Sequence, residues 1–297
     1  MKTHHIGLGV LSWKAHETLK ATLNSYRDSG LLELFEDKVI HFNDISDEDR
    51  AIAEDYGFRA VGGENKGIAT GTENLVKAIE SEHVLVVQND NPLVESVEFA
   101  DAHLGAALSL LENNKADLVR MRHRWQVGEG FADVVKYLKV HGLQECHPDF
   151  SALETLPPEV PLEDGFGKKL QRLLRPGRAH QMKGRGIFIE ASPETLFPDV
   201  IRRDGDFLLV DSAVINFSDQ CFMCAKRFYL DVLAAYVNAN PSSRTLNNFQ
   251  VPEICLNSPW WRKQHFQIAQ GRGIFTHGRL DGSFRANHHA YDASMGD

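Results

Sequence analysis

The chain has 297 residues, with 42% hydrophobic and 25% charged content, enough for one large globular domain or two small ones. A formal net charge of −9 argues against nucleic acid as the main partner, and no apolar run reaches the length of an integral membrane segment. Four cysteines do not make a disulfide framework in so long a chain. The N-terminus enters a strand pattern with no signal-like apolar stretch, so a cytoplasmic location is expected.

In chain order, Ile6 to Leu11 reads as a first strand, and Leu19, Leu23 and Tyr26 line one face of the helix after it. Lys38 to Phe42 gives a second strand ending at Asn43-Asp44, and Phe58 to Val61 a short third. A glycine-rich loop then feeds a helix. The Thr70-to-Glu73 spacing predicts a capping box there, with Leu75, Val76 and Ile79 buried. The run Val84-Leu-Val-Val87 stops abruptly at Gln88-Asn-Asp-Asn91, as a strand buried on both faces would. Helical spacing at Val97, Ala100, Leu104, Leu108 and Leu111 leads to a fifth strand at Leu118 to Met121. Alternating strands and helices imply an α/β fold: a mainly parallel sheet with helices on both faces.

The second half is less regular. Residues 144–183 form a basic, proline-containing excursion. Strands are expected at Gly186 to Glu190, Phe207 to Val210, Cys221 to Ala225 and Gly273 to Phe275. Helices are expected from Pro193, over Phe228 to Val237, and over Glu253 to Phe266.

Open α/β sheets bind ligands beyond the carboxyl ends of their strands, which is where Asp90 falls. A carboxylate there, with a Gly-loop and helix before it, suits a nucleotide diphosphate and a hard divalent cation. The bland reading of Asp90 is a turn cap before Pro92. Cys221-x-x-Cys224 has metal-ligand spacing, but no second pair lies at zinc-finger distance, so buried structural cysteines are expected. Gly7-x-Gly9 lacks the rest of a dinucleotide fingerprint. Arg120, Arg122 and Arg124 fit either an anionic acceptor or a solvated charged face.

The segments Val10 to Leu19, Asn43-Asp44, Asn65-Lys-Gly67 with Asn74, and Gln88-Asn-Asp90 together resemble the nucleotide-sugar half of GT-A glycosyltransferases, especially family 2. The resemblance implies a GT-A-like fold and transfer of a sugar from UDP-sugar, assisted by Mn²⁺ or Mg²⁺, to an unknown and possibly anionic acceptor. It divides the domain into a nucleotide-sugar half, residues 1–125, and an acceptor half, residues 126–297. Leu11, Ser12, Trp13, Asp44, Asn65, Gly67, Asn74, Gln88 and Asn89 would then line the nucleotide. Asp90 would bind the metal, with Gln88 in the first position of the usual Asp-x-Asp. In the later part, Glu253 would be the general base and His277 a second metal ligand, with Asp219 as the rival base. The alternative reading is a nucleotide-sugar-binding protein with weak or no catalysis.

Overall fold

The computed structural model describes residues 3–126, 128, 134–150 and 176–280. Nine strands form one sheet: β1 (Ile6–Ser12), β2 (Lys38–Asn43), β3 (Arg59–Gly63), β4 (His83–Gln88), β5 (Leu118–Arg122), β6 (Ile201–Asp204), β7 (Phe207–Asp211), β8 (Phe222–Ala225) and β9 (Gln267–Phe275). Their order is β3-β2-β1-β4-β8-β5-β9-β7-β6. Following the pairings across the sheet, β3, β2, β1, β4, β5, β9 and β6 run one way, and β8 and β7 run the other. The sheet is thus mainly parallel, as expected. The reversed strand β8 is wedged between β4 and β5, so its N-terminal end lies beside their carboxyl ends.

Helices cover both faces. On β4, Leu85 and Val87 join one core with helices α1 (His16–Ser29), α2 (Asp47–Asp55) and α4 (Val97–Glu112). Val84 and Val86 join the other, with helix α3 (Gly67–Ala78) and the helical stretch after β8. Successive side chains point to opposite faces, so a strand covered on both sides has to be apolar at every position. That is why the Val84 to Val87 run is continuous. Leu19, Leu23 and Tyr26 are fully buried, the predicted face of α1.

Several expectations are corrected. Helix α3 begins at Gly67, three residues before Thr70, and no side chain caps it. Thr70 and Glu73 lie inside the helix, and Glu73 instead pairs with Lys77 at 2.6 Å. Gly186–Ile189 is a helical turn, not a strand; so short an apolar run has no periodicity to tell the two apart. The helix expected over Glu253 to Phe266 is two, Pro252–Leu256 and Pro259–Gln264, because Pro259 cannot continue the first. Strand β9 starts earlier than expected, at Gln267, and β6 was not foreseen. Much of the basic excursion, including Lys168, Lys169, Arg172 and Arg175, lies outside the described residues. No helix among the described residues is long and apolar enough to cross a membrane.

Candidate active site

The carboxyl ends of β1, β2 and β4 meet at one edge of the sheet. There the chain after β4 is held from three directions. Asn89 N–H donates to the Leu11 carbonyl at 3.0 Å, tying the end of β4 to β1. From α1, the Thr22 hydroxyl donates to the Asn89 carbonyl at 2.8 Å and the Tyr26 hydroxyl to the Asn91 carbonyl at 2.5 Å. Burial, reinforced by Cys221 and Asp90 nearby, pushes the Tyr26 phenol well up, so it stays a neutral donor. Asn91 accepts from Gln88 N–H at 2.7 Å and donates to the Thr276 carbonyl at 3.3 Å, which brings the segment after β9 across.

That segment seats His277 over Asp90. Thr276 N–H donates to the Pro92 carbonyl at 3.0 Å and Gly278 N–H to the Asp90 carbonyl at 2.9 Å. His277 Nε2 then stands 3.3 Å from Asp90 Oδ2, and Arg279 Nη1 stands 3.6 Å from the same oxygen. Asp90 is 3% exposed, yet its Oδ1 has no hydrogen-bond partner. A buried carboxylate oxygen left unmatched is costly unless something else satisfies it. The structure thus brings together Asp90 and His277, which lie 187 positions apart in the chain.

Asp90 Oδ1 has company. Ser12 Oγ, Trp13 Nε1, Asn43 Oδ1 and Asn89 Nδ2 are also buried without partners, and all lie at or just beyond the ends of β1, β2 and β4. Donors and acceptors are both represented, as a polar ligand would require. Beside them a cleft of about 290 Å³ is lined by His41, Asn43, Gly63, Lys66 and Asn74. Helix α3 packs closely behind Asn43: a Cβ on Gly71 would meet Asn43 Oδ1 and Leu11 Cδ1 at 2.9 Å. Asn65 Oδ1 accepts from Gly67 N–H at 2.9 Å and shapes the turn into α3. Gly67 has φ +79°, and a Cβ there would lie 2.3 Å from Phe249 Cβ. Asp44 sits at the rim, paired with Lys14 at 2.6 Å and about half exposed. Gln88 is half-buried, its main chain fixed by Asn91. Asn43 and His41 were missed in the sequence reading, although Asn43 adjoins the Asp44 that was singled out.

The two candidate bases lie together. Asp219 sits in the loop before β8, and its N–H donates to Glu253 Oε1 at 3.2 Å. The Asn257 side chain clamps that loop, accepting from Phe217 N–H at 2.7 Å and donating to the Phe217 carbonyl at 3.0 Å. The buried Trp261 adds a bond from Nε1 to the Ile215 carbonyl at 2.7 Å. Burial first, then the Glu253 carboxylate, pushes the Asp219 carboxyl well above its ordinary range. Two carboxyls this close cannot both ionise readily, and the buried one keeps the proton. Glu253, not Asp219, lines a second cleft of about 320 Å³ together with Arg120 and Arg122. Burial lowers the Arg122 pKa, and Cys221, Asp90 and Glu253 oppose that fall.

The fit to a divalent cation rests on Asp90 and His277. Among the described residues no group of three His, Cys, Asp or Glu side chains could hold a metal ion, and Asp90 and His277 are the two candidates that lie together. A magnesium- or manganese-type site commonly takes one or two carboxylates and leaves other positions to phosphate oxygens and water. The open Asp90 Oδ1 and the neighbouring imidazole suit that role. Cys221 and Cys224 are buried and free, with thiols pushed up by burial, as structural cysteines would be.

No protein-family model and no curated protein matches the sequence. Among solved structures, a crystal structure of S. aureus TarS residues 1–349 in complex with UDP-GlcNAc is 12% identical, with a TM-score of 0.49 over 96% of this chain and 61% of that one. Glucosyl-3-phosphoglycerate synthase from Mycobacterium tuberculosis, in complex with Mn²⁺, UDP and glucosyl-3-phosphoglycerate, is 11% identical, with a TM-score of 0.41 over 93% and 72%. A mycobacterial protein is 14% identical, with a TM-score of 0.46 over 93% and 68%. The chain spans about three fifths of the TarS structure, and these are distant likenesses of architecture.

Proposed function

We propose that the chain is a glycosyltransferase that moves a sugar from a nucleotide-diphosphate sugar, UDP-sugar by the resemblance noted above, to an acceptor hydroxyl. The observation that carries this reading is the row of unmatched buried polar atoms at Ser12, Trp13, Asn43, Asn89 and Asp90. They gather at the strand ends, where open α/β sheets receive ligands. Leu11, Ser12, Trp13, Asp44, Asn65, Gly67, Asn74, Gln88 and Asn89 would border the nucleotide. Asp90 and His277 would hold Mn²⁺ or Mg²⁺, which when bound neutralises charge on the leaving diphosphate. Glu253 would take the acceptor hydroxyl proton, and Asp219 would stay protonated behind it as a donor. A reducing compartment such as the cytoplasm suits four free cysteines.

The test is slow hydrolysis of a panel of nucleotide sugars with and without Mn²⁺. Release of UDP from one UDP-sugar, dependent on the metal, is expected. Tight UDP binding with no turnover of any donor or transfer to any acceptor would favour a nucleotide-sugar-binding protein instead.

A further inference from the structure

The segment after β9 brings a cation to Asp90 along with the imidazole. Its main chain is tied down on both sides of Arg279. Gly278 N–H donates to the Asp90 carbonyl at 2.9 Å, and Leu280 N–H donates to the hydroxyl of the buried Thr18, on α1, at 2.9 Å. Just upstream, Val94 N–H donates to the Ile274 carbonyl and Thr276 N–H to the Pro92 carbonyl, both at 3.0 Å. The Arg279 side chain is 16% exposed, and its Nη1 stands 3.6 Å from Asp90 Oδ2. This approach is set by the fold on either side, not by a loose tail.

The two groups facing Asp90 Oδ2 differ in kind. An imidazole carries charge only when protonated, whereas a guanidinium is charged at every ordinary pH. Arg279 is therefore the permanent cation of the two. Asp90 is buried, and a buried carboxylate is held in its charged form by such a partner. A divalent cation arriving at Asp90 and His277 thus meets a carboxylate whose charge is already answered. It has to share or break the existing pair, which weakens its attraction to the site. A nucleotide diphosphate changes the balance. Its oxyanions add negative charge and match a planar guanidinium, so cation and nucleotide each ease the entry of the other.

We propose that Arg279 is a built-in counterion of Asp90, which opposes a divalent cation arriving alone and so couples its binding to that of the nucleotide diphosphate. The proposal rests on the glycosyltransferase reading for the identity of both ligands. The rival role for Arg279 is a prop that keeps His277 in place. The two differ in sign: removing a prop weakens cation binding, and removing a competing cation strengthens it.

The test is calorimetric titration of Mn²⁺ into the full chain, with and without UDP. Wild type is compared with Arg279→Gln, Arg279→Met and Arg279→Lys, and a thermal melt of each variant reports folding. Wild type is expected to bind Mn²⁺ weakly alone and more tightly with UDP. The two neutral variants are each expected to bind Mn²⁺ alone about tenfold more tightly than wild type and to gain correspondingly less from UDP. Arg279→Lys keeps the charge and is expected to stay near wild type. The proposal is overturned if the folded neutral variants bind Mn²⁺ alone no tighter than wild type, or if the lysine variant behaves as they do. Wild type that binds Mn²⁺ equally well with and without UDP would also overturn it, whatever the variants do. Absence of Mn²⁺ binding to every form, UDP present, would instead count against the metal-assisted reading itself and remove the proposal with it.

Discussion

The two ends of the site are built differently. On the β1–β4 side the candidate residues lie at strand ends: Ser12 and Asn43 close β1 and β2, and Asp90 lies just beyond β4. On the β5–β9 side Asp219 lies in a loop clamped by Asn257 and Trp261, before a reversed strand. Among the described residues, the first side has buried polar atoms without partners and the Asp90 and Asp44 carboxylates; the second has four arginines and Glu253 lining a cleft. A ligand on the first side would answer unmet hydrogen bonds, and one on the second would meet guanidinium groups.

The largest expected effect tests the acceptor side. Glu253→Gln keeps size and hydrogen-bonding shape, so sugar transfer is expected to slow by roughly 10²–10⁴-fold with UDP affinity near normal, as single-turnover kinetics and titration would show. Asp219→Asn is expected to cost far less rate. A comparable loss in both variants would mean the two carboxyls act as one unit.

On the donor side, Gly67→Ala places a methyl against Phe249 at a left-handed backbone position. A loss of about 1–3 kcal/mol in denaturant unfolding is expected, along with weaker UDP binding. Unchanged stability would show that the turn into α3 yields easily.

Asp219 also predicts a pH dependence. Its folded carboxyl titrates well above the 3.8 of an ordinary aspartate, so the folded state holds the proton longer than the unfolded chain. That contribution is fully present below about 3.8 and is lost as pH rises through the raised folded value. Asp219→Asn should flatten this part of the stability–pH curve. A curve of unchanged slope would assign the proton elsewhere. The smallest effect is expected at the cysteines: Cys221→Ser and Cys224→Ser should each cost about 1 kcal/mol and leave metal and UDP binding intact. Stoichiometric zinc lost in those variants would contradict a structural role.

The same division explains what could be read from the sequence. Strand β4 was legible because both its faces are covered, and with it the place of Asp90 just beyond the strand. Helix α3 was misread at its start because the cue is not a cap: Gly67 is fixed by Asn65 beside it and by Phe249, 182 positions away in the chain. Ile201–Asp204 gave no apolar signal because β6 is an edge strand with exposed arginines. The nearness of Asp219 to Glu253 depends on Asn257 reaching back to Phe217, a contact that no local pattern announces.

Titration of UDP into the protein in Mn²⁺ and again in EDTA tests the central claim most directly, with Asp90→Ala alongside. The account predicts firm binding with the metal, much weaker binding in the chelator, and an Asp90→Ala protein that behaves in Mn²⁺ as wild type does in EDTA. Equal affinity in both buffers, or no binding in either, would contradict it.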